Sequence, residues 1–283
     1  MVGRSGSCGS TEKFLSLNGR YSMTPKLKSP ESFETATDDT NLPAENAVMP
    51  EPPSFQYMGS ELEIFAHARH WKSYVQSKLR PYLVGDILEV GAGIGGTTQA
   101  LNDGTQRRWI CLEPDSEFAR KIGLLSHLRN CEVRVGMLPD IKAQEKFDAI
   151  LYIDVLEHIK EDARELHQAA QHLNTNGVII VLAPAFPWLY TPFDAAIGHF
   201  RRYTRKSLRA VAPYGLREEK SIYLDSFGVL ASAGNLLFLQ ATNASVGQMR
   251  FWDNYLVPLS RFMDPLVAFS LGRSVLAIWR KTS

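Results

Sequence analysis

Four glycines crowd the stretch EVGAGIGG at residues 89–96, directly behind an acid, Glu89. Gly91, Gly93, Gly95 and Gly96 permit turns and a close approach of ligand to backbone that a Cβ blocks. A helix opening just after them aims free N–H groups into the same pocket. Glu89 either reaches over the turn to the ammonium of an amino-acid-like ligand or serves at the strand edge as an ion-pair partner or N–H acceptor. The cost of burying an unpaired carboxylate favours the ligand role. Further on, CLEPD at residues 111–115 ends an apolar run on Glu113, placed to accept hydrogen bonds from the two hydroxyls of a ribose. These features alone also suit a nicotinamide dinucleotide; the acid inside the first strand argues against it.

Two later stretches carry acid–base chemistry. DVLEHI at 154–159 brings Asp154, Glu157 and His158 together behind an apolar run. Asp154 suits a helix cap and Glu157 a brace for an arginine or the helix terminus. His158 titrates near neutrality and so can orient or deprotonate a substrate; its other reading is a loop-holding residue. The segment at 184–212 supplies Trp188, Tyr190 and Phe193 as an apolar wall, then Asp194, His199, Arg201, Arg202 and Tyr203. Asp194 and His199 can pair across a short turn into an oriented imidazole, and either arginine can grip a carboxylate or phosphate in a forked geometry. The alternative is a clamp that fixes this lobe to the body. Neither His-x-x-x-His nor a multi-carboxylate motif is present, so no metal is expected.

The elements that must position these groups follow a regular rhythm. Apolar runs at 86–91, 108–113, 132–136, 147–153 and 177–183 read as strands, separated by helical patterns near 95–103, 116–128 and 161–173. Continuous apolar strands joined by helices predict an α/β, Rossmann-like, doubly wound and mostly parallel sheet, with ligands gathered at the carboxyl ends of its strands. Ahead of it, Ile64, Phe65, Ala68, Trp71, Tyr74, Val75 and Leu79 recur at helical spacing until Pro81. After it, Thr204 suits a helix cap, 216–224 reads as a further element, two apolar helical segments lie between about 227 and 270, and 274–280 reads as a final strand.

Residues 1–55 are rich in Ser, Thr, Pro, Asn and acids, which predicts a flexible tail ahead of one domain over 56–283. The formal charge of +1 gives no general attraction to nucleic acid. Cys8, Cys111 and Cys131 form neither a disulfide framework nor a metal motif, so a reducing cytoplasm is the expected location. No signal peptide is evident at the start. FGVLASAGNLLFLQA at 227–241 is too short for a bilayer span and reads as a buried helix, with peripheral membrane contact as the other possibility.

Taken in order, LEVGAGIGG, CLEPD and DVLEHI resemble the class I S-adenosylmethionine-dependent methyltransferases over about residues 60–223. The resemblance implies S-adenosyl-L-methionine as cofactor, with Glu89 and the Gly91–Gly96 turn around its methionine portion, Glu113 on the ribose, and Pro114 and Asp115 beside the adenosine. Adenine would lie on GMLPDI, where Met137 and Leu138 offer backbone N–H groups and apolar cover. Met137 replaces an acid common in relatives, and Asp140 is a substitute. Tyr152 and Ile153 would line the methionine side. The 184–208 segment is similar to a bacterial subgroup with a PxxPWLYxxFDxxxGHxRRYxxxxL pattern, many of whose members occur near sugar-transfer or polyisoprenoid-linked pathways. That resemblance implies methyl transfer to O or N of a small molecule, with a sugar-containing or lipid-linked acceptor as one class. Trp252, Tyr255, Leu259 and Phe262 then form a lid or, as the favoured reading, core. The alternatives are an enzyme that uses the aminobutyl chain and releases methylthioadenosine, and a cofactor-sensing protein. The chain shows no Asn-Pro-Pro-Tyr-like turn and no basic stripe, which disfavours a nucleic-acid substrate.

Overall fold

The apolar runs after Asp86 assemble as their lack of alternating polarity requires, into strands covered on both faces. The computed structural model describes residues 61–125, 128, 130–234 and 245–282. The proposed tail at 1–55, Cys8, and residues 235–241 of the late apolar segment lie outside the described residues, as does the side chain of Ile64. The described residues fall in one compact unit.

The strands are β1 (Asp86–Val90), β2 (Arg108–Glu113), β3 (Cys131–Val135), β4 (Phe147–Ile153), β5 (Leu173–Pro184), β6 (Leu216–Leu224) and β7 (Ser274–Lys281). They lie in the order β3-β2-β1-β4-β5-β7-β6. The first five are parallel, while β7 runs antiparallel between β5 and β6. The two-residue period of each strand sorts its side chains between two cores. Ile87, Trp109, Leu151 and Ile180 face one side, whereas Leu88, Ile110, Ile150 and Ile179 face the other. Because β1 is followed by β2 on one side and pairs with β4 on the other, its carboxyl end is the point where the winding reverses. Open α/β sheets bind their ligands there.

The helices are α1 (Glu61–Ala66), α2 (Arg69–Leu79), α3 (Gly96–Leu101), α4 (Ser116–Gly123), α5 (Asp162–Gln171), α6 (Pro192–Ala196), α7 (Arg205–Ala210), α8 (Ser226–Gly234), α9 (Val246–Phe251) and α10 (Val257–Leu266). Three depart from the sequence expectation. The helix expected over residues 64–79 is split between α1 and α2, because Asp253 from the far end of the chain accepts the N–H groups of His70 at 3.2 Å and Trp71 at 2.9 Å. This tertiary cap begins α2 afresh. Helix α4 ends at Gly123, short of residue 128. Of the late aromatic group, Trp252 is core, but Tyr255 and Phe262 are 66% and 68% exposed and Leu259 is also exposed, so these three do not secure the final strand. Thr204 caps α7 as expected, its Oγ1 accepting the N–H of Ser207 at 3.0 Å.

Beyond β5 the chain makes an excursion that is closed at its neck. Phe186 N donates to Tyr203 O at 2.8 Å and Tyr203 N to Pro184 O at 2.8 Å, so residues 187–202 loop out above the sheet. The C-terminal helices are tied down by buried aspartates. Asp264 accepts from Tyr74 Oη at 2.8 Å and from the N–H groups of Asp225 and Ser226, while Asp225 accepts from Trp252 Nε1 at 2.7 Å and Ser260 Oγ at 2.7 Å. Among the described residues, no helix is long and apolar enough to cross a membrane.

Candidate active site

The turn after β1 is shaped by positions that only glycine fills without strain. Gly91 has φ +68°, and a Cβ there would lie 2.7 Å from Val155 Cγ2, so the turn is pressed against the loop after β4. Gly95 has φ +79°, and its Cβ would meet Leu125 Cδ1 at 2.9 Å. Left-handed backbone disfavours a side chain at both, independently of the crowding. The second glycine of the turn, Gly93, donates its N–H to Glu113 Oε2 at 2.7 Å, while Asp115 N donates to Glu113 Oε1 at 2.9 Å. Glu113 is thereby fixed at the end of β2, facing the glycine turn. Burial raises its pKa, and the two backbone donors oppose that rise. Pro114 leads from it to Asp115, which caps α4 by accepting from the N–H groups of Glu117 and Phe118.

Glu89 lies in β1, two residues before the glycine turn, and is buried. Its Oε2 accepts from Thr98 Oγ1 at 2.7 Å and from Trp109 Nε1 at 2.8 Å. Burial pushes its carboxyl up to about 7 against those two hydrogen bonds, with the negative charge of Glu113 adding to the rise.

In the loop after β3, Met137 is 59% exposed and its N–H is already held by Asp140 Oδ2 at 2.8 Å. The carboxylate suggested for an adenine amino group therefore braces its own loop. Leu138 is buried among the core residues, so its side chain gives no cover to an open face. Tyr152 differs from expectation more sharply. It is fully buried on the α5 side, with its hydroxyl donating to Glu165 Oε1 at 2.9 Å, because strand alternation points it away from its neighbour Ile153.

The acid–base groups of the two separate stretches converge. His158 and His199 meet edge to face with ring centroids 4.6 Å apart. Phe200 N donates to Glu157 O at 2.8 Å, stitching the excursion onto the turn after β4. His199 Nδ1 is 3.0 Å from Asp194 Oδ1, and its Nε2 is 3.8 Å from Glu157 Oε1. Burial and the neighbouring His199 push His158 down to about 4, so it is neutral near pH 7. Burial would raise Asp194, but the hydrogen bonds from His199 and Arg202 outweigh it and hold this carboxyl well below the usual range. Glu157 is displaced the other way: burial first, then the charge of Asp154, pushes it well up. The backbone at the rim is unusual, with Asp154 and Phe186 at φ +54° and +63°. Asp154 is not a cap; Val155 occupies the cap position of the short turn Leu156–His158.

Of the expected substrate-binding residues, several are engaged within the protein. Arg201 spans Asp162 Oδ2 and Lys160 O, each at 2.8 Å, because the excursion has to be anchored to the start of α5. Arg202 makes a forked pair with Asp194 at 2.8 and 3.0 Å. Tyr203 is buried at the neck, donating to Asp162 Oδ2 at 2.7 Å. These three belong to the clamp. Tyr190 donates to His199 O at 2.6 Å and so steadies the imidazole from its backbone. Trp188 is 55% exposed and stacks on Phe186, which in turn stacks on Tyr223, and Phe193 is half-buried on α6. Phe186 and the isolation of Glu157 were not read from the sequence. Positive φ in a phenylalanine leaves no local signal, and the fate of Glu157 depends on a loop folded over it from elsewhere.

Residues 88–179 match the family profile described as a methyltransferase domain. No curated protein sequence matches the chain. Among solved structures, a chain in the complex containing the Haloferax volcanii Trm112 methyltransferase activator aligns with a TM-score of 0.55 at 14% identity, over 80% of this chain and all of that one. Coclaurine N-methyltransferase bound to N-methylheliamine and S-adenosylhomocysteine aligns with a TM-score of 0.51 at 13% identity, over 74% of this chain and 72% of that one. YcgJ of Bacillus subtilis aligns with a TM-score of 0.50 at 13% identity, over 76% and 99%. With its strand order, its glycine turn and the matched segment, this chain has the α/β, Rossmann-like fold of the class I S-adenosylmethionine-dependent methyltransferases.

Proposed function

We propose that the protein transfers the methyl group of S-adenosylmethionine to an oxygen or nitrogen of a small molecule. The observation that carries this reading is the juxtaposition at the end of β1: a glycine turn tied by Gly93 to a fixed carboxylate, Glu113, stands against the loop that holds Glu157 and His158. The turn and Glu113 suit the adenosyl part of the cofactor, with Glu89 beneath the methionine end and the backbone of Leu138 near the adenine. A sulfonium needs little from the protein to part with its methyl group beyond an in-line nucleophile and exclusion of water. The acceptor must shed a proton, and the corner formed by Glu157, His158 and His199 presents electron pairs to it. Trp188 and Phe193 supply apolar cover, which fits an acceptor with an apolar portion. Coclaurine N-methyltransferase, which is similar in fold, is bound to N-methylheliamine and S-adenosylhomocysteine.

The test is product analysis. Protein incubated with S-adenosylmethionine and panels of hydroxylated and amino compounds should release S-adenosylhomocysteine together with an acceptor heavier by one methylene. Release of methylthioadenosine would replace this reading with use of the aminobutyl chain.

A further inference from the structure

Glu157 is the least satisfied side chain in the site. It is fully buried, and neither carboxylate oxygen has a hydrogen-bond partner. A buried acid with two idle oxygens is costly until something positive completes it, yet its neighbours offer lone pairs. Asp194 holds the Nδ1 edge of His199 at 3.0 Å and takes the forked pair from Arg202, so the Nε2 edge of that ring is the one turned toward Glu157. That Nε2 faces Glu157 Oε1 at 3.8 Å. His158 stands edge-on beside it, and one ligating atom from each of Glu157, His158 and His199 falls within 4.8 Å of the others. A cation drawn between these atoms would engage all three at once. Ligand atoms bound to one ion through bonds of about 2.1 Å stand roughly 3–3.5 Å apart, a small inward rotation from the separation seen.

We infer that Glu157, His158 and His199 bind a divalent transition-metal cation, with Asp194 orienting His199 from behind. Two imidazoles and one carboxylate suit zinc or another first-row ion and do not suit magnesium or calcium, which prefer all-oxygen shells. The Asp194–His199 contact is the outer hydrogen bond that ligating histidines usually make. Three protein ligands leave positions open. The use of the ion rests on the methyl-transfer reading above: an acceptor hydroxyl occupies an open position, the cation lowers its pKa, and its proton leaves to solvent. The oxygen then attacks the methyl carbon. The O–C bond forms as the C–S bond breaks, and the bonding pair remains on the sulfur of S-adenosylhomocysteine. The acceptor is on this account a hydroxylated compound, and one with adjacent hydroxyls can chelate.

The test uses the full chain, stripped with EDTA and desalted, then titrated with Co2+ and followed by visible absorption, with Zn2+ as competitor. S-adenosylhomocysteine binding is measured by calorimetry on the same samples. One equivalent of Co2+ should give ligand-field bands that Zn2+ abolishes. Glu157→Gln, His158→Ala and His199→Ala should each weaken uptake at least ~10-fold while still binding S-adenosylhomocysteine, which shows that the sheet end is folded. No uptake of Co2+ or Zn2+ by the wild type, or uptake unchanged in all three variants, overturns the inference. Cofactor binding without metal uptake sinks the metal site and leaves methyl transfer standing; metal uptake without cofactor binding does the reverse.

Discussion

Replacing Glu89 by glutamine separates the stability of the fold from the needs of its ligand. Glu89 is buried and its carboxyl is pushed up to about 7, whereas an unfolded glutamate titrates near 4.5. Between those values the native state holds a proton that the unfolded state has lost, so stability falls as pH rises through this window and is level above it. A gap of about 2.5 units corresponds to about 3 kcal/mol. Glutamine keeps an oxygen for Thr98 and Trp109 and never ionises. The stability of Glu89→Gln relative to wild type should therefore rise by about 3 kcal/mol between pH 5 and pH 8.5, or roughly 6–12 °C in Tm for a domain of this size. Urea denaturation followed by circular dichroism at several pH values measures it, and taking the difference between the two proteins removes the contribution of Glu113, Glu157 and Glu165. If Glu89 also faces the ammonium of the cofactor, the same variant should bind S-adenosylhomocysteine at least ~10-fold more weakly at pH 8, equivalent to ~1.4 kcal/mol. A stability difference that does not change with pH would refute the electrostatic reasoning.

Three further outcomes follow from the geometry. Gly91→Ala should lose about 2–5 kcal/mol, part from left-handed backbone and part from its contact with Val155, and Gly91→Ala with Val155→Ala should recover only the contact part in a double-mutant cycle. Asp194→Asn should cost about 3–5 kcal/mol by leaving Arg202 without its forked partner. Because the Asp194 carboxyl is held low, its contribution is complete above the ordinary carboxylate range and is lost as pH falls through its depressed value; acid titrations of wild type and variant should converge there. Asp253→Ala should cost about 0.5–2 kcal/mol and speed amide exchange at His70 and Trp71, the two N–H groups it caps.

The sheet was legible in the sequence because its strands carry their burial in their composition. Apolar runs such as FDAILYI and GVIIVLA have no polar face to spare, and the structure seats them in the interior of the sheet. The glycine turn and Glu113 were legible because local backbone demands fix residue type. What depends on distant partners was not. Nothing near His70 signals that Asp253 will cap a helix there, and nothing in the RRY run at 201–203 shows that all three side chains are used internally. Tyr152 follows from strand alternation once the register is known, but the end of a strand, where it sits, is where that register is least certain from pattern alone. The aspartates at 225, 253 and 264, set in an apolar C-terminal stretch, were the available clue to its buried polar network.

Calorimetry with S-adenosylhomocysteine on the wild type and on Glu113→Ala tests the central claim most directly. Binding of one equivalent to the wild type, weakened at least ~10-fold in the correctly folded variant, is the predicted result. No binding to the wild type, or equal affinity in both proteins, would contradict the placement of an adenosyl group on the carboxyl end of this sheet.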